Sequence, residues 1–159
     1  MTGRAAFLAL LPAVAPAAIA ALALSVLAAA LAPARAGEPL SRYAWEGRPL
    51  VIFGPSLDDE QLRAQRELFE MARADLAERE MPLIVAGGES ALVDGAPAPF
   101  SAEALRNAYG VGPGTFAVVL VGKDTGVKLR SGRIIPPKMV FDLVDDMPMR
   151  RSEIGGRNG

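Results

Sequence analysis

The stretch Pro49-Leu50-Val51-Ile52-Phe53-Gly54-Pro55 is a continuous apolar, β-branched run closed at each end by a proline. A strand buried on both faces has this pattern, so the run marks the centre of a sheet. Residues 58 to about 80 follow as an amphipathic helix, because Leu62, Leu68, Phe69, Ala72 and Leu76 fall on one face at helical spacing. Ser56 or Asp58 is the expected N-cap, with Gln61 at capping-box distance from Asp58. Asp59 with Arg63 and Asp75 with Arg79 stand at i,i+4 in the favourable acid-first order. Pro82 disfavours helical geometry at Met81 and ends the helix. Leu83-Ile84-Val85-Ala86 is then a second buried strand. Strand, helix and strand over this length imply a parallel βαβ crossover and an α/β fold.

Toward the C-terminus, residues 87–100 read as a Gly/Pro/Ala-rich loop, long enough for a functional lid or for simple surface variation. Ser101 caps a short helix that ends at Gly110 and turns Leu105, Ala108 and Tyr109 inward. Phe116 to Val121 is a third buried strand. Lys123-Asp124-Thr125-Gly126 is a hairpin turn in which Gly126 supplies the positive φ, followed by a strand with Val127 and Leu129 inward and Lys128 and Arg130 outward. Pro136-Pro137 opens a last helix through about Asp146, Pro148 closes it, and residues 150–159 remain as a polar tail.

Toward the N-terminus the composition changes. Arg4 precedes an uncharged apolar run from Ala5 to Ala34, and Ala34-Arg35-Ala36 fits a signal-peptidase cleft. Residues 1–36 are therefore expected to be a signal peptide cleaved after Ala36, which directs the chain to a periplasmic or secreted address. The alternative is an uncleaved anchor, since the run is long enough to span a bilayer, and only that form implies a membrane partner. Residues 37–48 are expected to be a tether in which Tyr43 and Trp45 pack back on the domain of residues 49–149; alternatively, the alternation of these two marks a short edge strand. Beyond the leader the 17 Lys+Arg lose Arg4 and Arg35 while all 18 Asp+Glu stay. This mildly acidic balance carries no footprint for nucleic acid.

The chain has no cysteine and no histidine. No thiolate is available for redox chemistry, no imidazole for proton transfer near neutral pH, and no soft ligand set for zinc or copper. Disulfides and a lipid-anchoring cysteine are absent too. No cofactor is expected.

The order β-α-β, helix, β-hairpin and terminal helix resembles the thioredoxin-like fold. The words Leu105-Arg106, Tyr109-Gly110-Val111, Pro113-Gly114-Thr115-Phe116, Gly122-Lys123-Asp124, Gly126-Val127-Lys128-Leu129-Arg130 and Met147-Pro148-Met149-Arg150 resemble a narrower set, the uncharacterised DUDES family of DUF4174-type domains. Its bacterial members are small exported proteins, and its animal members are the C-terminal domains of equarin and the sushi-repeat-containing proteins. The resemblance implies a thioredoxin-like fold and an extracytoplasmic address, with no established activity. Redox-active thioredoxin relatives carry a Cys-x-x-Cys after the first strand; here the corresponding stretch is Phe53-Gly54-Pro55-Ser56-Leu57-Asp58-Asp59. A thioredoxin's cis-proline directly precedes a Thr, whereas Pro113-Gly114-Thr115 separates the two.

The candidate sites follow from this order. Ser56 lies where the fold keeps its chemistry, at a helix N-terminus suited to an anion, but Asp58-Asp59-Glu60 opposes a negative ligand. As a nucleophile Ser56 needs a lysine base, from Lys123, Lys128 or Lys138. Asp58-Asp59 and Asp145-Asp146 lack the alternating spacing of a calcium loop, and a solvated helix face explains them. Lys123, Asp124, Lys128 and Arg130 form an outward cluster on the hairpin, read either as a binding surface or as charges that guard an edge strand. Arg150 and Arg151 complement the last helix dipole or extend that patch. The expectation is an exported, non-redox binding or scaffold module with an extracytoplasmic protein or ligand as partner; the alternative is an enzyme using Ser56 or carboxylates at the long helix's start.

Overall fold

Strand β1, Leu50–Gly54, is buried at all five positions and is the axis of the domain. The structure, a computed structural model, describes residues 39–157, so the expected signal peptide and its expected cleavage after Ala36 lie outside the described residues. Six strands form one sheet in the order β4-β3-β2-β1-β5-β6. β2, Leu83–Gly87, pairs parallel to β1 with Ile52 opposite Val85. β5, Ala117–Val121, runs antiparallel on the other side with Ile52 opposite Val118. β6, Val127–Ser131, completes the hairpin and is an edge.

Because successive strand residues face opposite sides, β1 feeds two cores. Leu50 and Ile52 join Leu62, Phe69, Leu76, Val140 and Val144, the buried faces of helices α1 (Glu60–Met71), α2 (Arg73–Glu78) and α4 (Pro137–Asp145). Val51 and Phe53 join Leu105 and Tyr109 of α3, Ala102–Tyr109, and Leu40 from the N-terminal segment. Fully buried side chains such as Leu62 and Phe69 each contribute about 1.5–3 kcal/mol. Gln65 is the exception on α1: fully buried, it donates to the Ile135 carbonyl at 2.9 Å and accepts the Ile135 N–H at 2.7 Å. The amide thus imitates a strand and ties the connection after β6 to the helix.

The expected βαβ unit, the third strand, the hairpin and the helix capped by Ser101 and Gly110 are all present. Several details differ. Residues 87–100 are not a plain loop: β3, Ser90–Val93, and β4, Ala96–Pro97, extend the sheet around an Asp94-Gly95 turn with φ of +48° and +87°. The long helix breaks at Ala72 into α1 and α2, and its cap is Asp59, which accepts the Leu62 N–H at 2.9 Å, in place of Ser56 or Asp58. Ala108 faces solvent. Thr125 takes the positive φ of +64° in the hairpin, and the Asp124 carboxylate holds the Gly126 N–H at 3.2 Å. Trp45 is 69 % exposed where packing was expected, while Leu40 is buried.

The largest difference is at the C-terminus. The expected polar tail is a helix, α5, Pro148–Arg157, and Arg150 is among the most buried residues of the domain. Gly155-Gly156 disfavours a helix, while Arg150 and Glu153 of the preceding turn are ion-paired to the body of the domain. Among the described residues no helix is long and apolar enough to cross a membrane.

Candidate functional site

The two ends of β1 carry different chemistry, and the sequence words divide between them. At the carboxyl end lies a cleft of about 620 Å³ lined by Pro55, Gly88, Glu89, Ser101, Glu103, Arg106, Pro113 and Gly114. Arg106 is 7 % exposed; it donates to the Gly54 carbonyl at the end of β1 and, at 3.1 Å, to the Gly112 carbonyl. Its guanidinium also stands over the Phe53 ring, 5.6 Å from the centroid. Burial lowers its pKa from the ordinary arginine value. A buried cation thus lines the cleft at the carboxyl end of the central strand.

Ser56, on the turn beside this cleft, is exposed, and its carbonyl accepts the Asp59 N–H at 3.3 Å. Gly87 presses on the same turn: a Cβ there would lie 2.5 Å from the Leu57 nitrogen. None of the lysines required as a base serves Ser56. Lys123 is bound to Glu80 and Glu153, Lys128 to Asp124, and Lys138 to Asp142. The helix start is therefore a self-capped turn without a nucleophile–base pair.

At the amino end of β1 three buried cations meet partly exposed carboxylates in an ion-pair network. Arg48, 1 % exposed, donates to Glu153 at 2.8 Å and to the Arg79 carbonyl at 3.2 Å. Lys123 pairs with Glu153 at 2.8 Å and with Glu80. Arg150 reaches Glu78 at 2.8 Å and Asp145 at 3.3 Å, and Arg79 reaches Asp145 at 2.7 Å. Burial alone would raise the Glu153 carboxyl, but hydrogen bonds from Arg48 and Lys123 hold it down at about 2. Burial alone would lower Lys123, yet its bonds to Glu153 and Glu80 raise it above the ordinary lysine value. Burial would likewise raise Asp145, and Arg79 and Arg150 lower it.

The predicted hairpin cluster is accordingly split. Lys123 is not outward but buried in the network. Asp124 and Lys128 form an exposed pair at 2.6 Å, and this hydrogen bond lowers the Asp124 pKa. Arg130 donates to the Tyr109 carbonyl, tying β6 to the end of α3. Arg150 likewise serves the network and Arg151 pairs with Asp146, so neither extends a basic patch.

What the hairpin does share is a groove. Arg48, Gly122, Lys123, Asp124, Lys128, Leu143, Met147, Pro148 and Met149 line a depression of about 440 Å³. Its floor is the methionine-proline junction between α4 and α5, its wall the Asp124–Lys128 pair, and Met149 is 42 % exposed at its rim. Methionine suits such a surface because it adapts to varied apolar shapes. Sequence reasoning missed Arg48, Arg79 and Glu153: nothing local distinguishes a buried arginine from a solvated one.

Asp59 caps a helix, Asp145 binds arginines, and among the described residues no group of three acidic, histidine or cysteine side chains is placed to hold a metal.

A mixed six-stranded sheet with helices on both faces, a βαβ start and a C-terminal hairpin defines a thioredoxin-like domain. The chain is similar in structure to a reduced 2-Cys peroxiredoxin of Plasmodium vivax, with a TM-score of 0.55 over 71 % of this chain and 84 % of that one, at 12 % identity. That likeness speaks for the fold alone. Within this class the chain belongs to the family described as Domain of unknown function (DUF4174), which it matches over residues 39–153. The match extends past the expected domain end at 149 and reaches Glu153, the carboxylate at the centre of the network.

Proposed function

We propose that this protein is an exported, non-redox binding module that recognises an extended, apolar segment of an extracytoplasmic protein. The observation that carries the reading is the convergence of Gly122-Lys123-Asp124, Lys128 and Met147-Pro148-Met149 on one groove beside the free edge of β6. An unpaired strand edge offers backbone donors and acceptors to an extended peptide, and adjacent apolar pockets give selectivity. The network beneath keeps groove and edge in fixed relation, which limits the ordering cost of binding. Export is supported by the leader of residues 1–36, and the absence of thiol chemistry by the absence of cysteine.

The test is affinity capture from the extracytoplasmic fraction with wild type and with Met149→Asp. A partner recovered by wild type, lost with Met149→Asp and restored by Met149→Leu supports the groove; equal recovery by all three overturns it. Intact-mass measurement on the same material tests export, since a retained Met1 contradicts cleavage after Ala36. Insulin reduction or peroxide consumption by the purified chain alone would contradict the non-redox reading.

A further inference from the structure

The buried cations of this domain are not treated alike. Arg48, Lys123 and Arg150 each meet two or more carboxylates within 4.0 Å. Arg106 is buried too and, among the described residues, forms no ion pair with a carboxylate. A buried charge held only by neutral dipoles retains much of its desolvation cost, so this site favours a counter-ion. Two of the five N–H groups of the guanidinium are engaged, by the Gly54 and Gly112 carbonyls. Three N–H groups remain, enough for a carboxylate to accept from two of them.

The cleft in front of Arg106 also specifies what kind of anion fits. Glu89 and Glu103 line it and are exposed, and Glu103 makes no ion pair with Arg106 although it stands three residues earlier on the same helix. A multiply charged anion meets repulsion at this rim. A molecule with a carboxylate at one end and an ammonium group beside it meets a cation at the floor and carboxylates at the wall.

We propose that the cleft at the carboxyl end of β1 binds a small zwitterion of the amino-acid type, its carboxylate on Arg106 and its ammonium group on Glu89 and Glu103. The site is at the opposite end of β1 from the groove assigned to protein recognition and stands or falls without it. It involves binding only, with no bond made or broken.

The experiment is an NMR titration of the ¹⁵N-labelled chain, as purified from the extracytoplasmic fraction, with L-alanine, acetate, methylammonium and inorganic phosphate as probes. L-Alanine is expected to shift the amides of Gly54, Gly112 and Gly114 saturably and to bind more tightly than any of the other three. Arg106→Lys keeps the charge and loses the fork, and is expected to weaken L-alanine about tenfold or more. Glu89→Gln with Glu103→Gln leaves the buried residues untouched, and is expected to weaken L-alanine several-fold while acetate and phosphate gain. The absence of saturable shifts at this cleft, phosphate binding more tightly than L-alanine, or an unchanged alanine-to-acetate ratio in the double glutamine variant would each overturn the proposal.

Discussion

The Arg48 guanidinium and the Glu153 carboxylate, 105 residues apart in sequence, meet at 2.8 Å. This contact fastens the last helix to the residue that introduces the central strand, so the ends of the domain are closed on each other. Removing the carboxylate leaves the buried Arg48 and Lys123 with the more exposed Glu80 as their one remaining carboxylate. Glu153→Gln is expected to cost about 2 kcal/mol, or about 5–10 °C in Tm, measured by thermal circular dichroism. A shift below 1 °C would contradict the structural role given to the network.

The same carboxylate sets an acid limit. Its pKa is near 2 in the folded chain against an ordinary 4.5. A depressed folded pKa means that the unfolded chain binds the proton more readily, so the stabilisation is complete above about pH 4.5 and is lost as pH falls toward 2. Asp145, also lowered, acts in the same direction. Between pH 5 and 2, Tm should fall less steeply in Glu153→Gln than in wild type; parallel curves would show that other groups dominate.

Helix capping separates three neighbours that the sequence leaves ambiguous. Asp59→Ala removes the acceptor of the Leu62 N–H and should cost about 1 kcal/mol in urea denaturation. Ser56→Ala and Asp58→Ala should each change stability by less than about 0.5 kcal/mol. A reversed ranking would reassign the cap.

Gly87 lies at an ordinary negative φ, so its role is space. A methyl there would stand 2.5 Å from the Leu57 nitrogen and 2.5 Å from the Ser56 carbonyl carbon, both backbone atoms that cannot swing aside. Gly87→Ala should cost about 1–3 kcal/mol and shift the amide resonances of residues 55–58. Gly156→Ala, with nothing within 4 Å of the added methyl, is the control and should be neutral or stabilising.

The parts of the fold legible in the sequence are those written in short-range chemistry. Leu50–Phe53 and Leu83–Ala86 announce buried strands through composition, and Ser101 with Gly110 bracket α3 because cap and stop are local. The β3–β4 hairpin was missed, because its Asp94-Gly95 turn signal is hidden among neighbouring glycines and prolines that read as loop. The helix α5 was not legible, since it depends on distant partners. The site divides in the same way. The groove's words stood in the sequence, but that Lys123 turns inward while Lys128 stays out depends on Glu80 and Glu153 arriving from elsewhere. Arg106 lacks a carboxylate partner, a fact about space that no local pattern records.

Leu40 is already 2 % exposed, and the Trp45 N–H donates to the Lys123 carbonyl at 2.7 Å, so the stretch expected to be a tether is tied into the folded body. A force applied at Leu40 would therefore load the central sheet directly, with no slack in the chain to take up first.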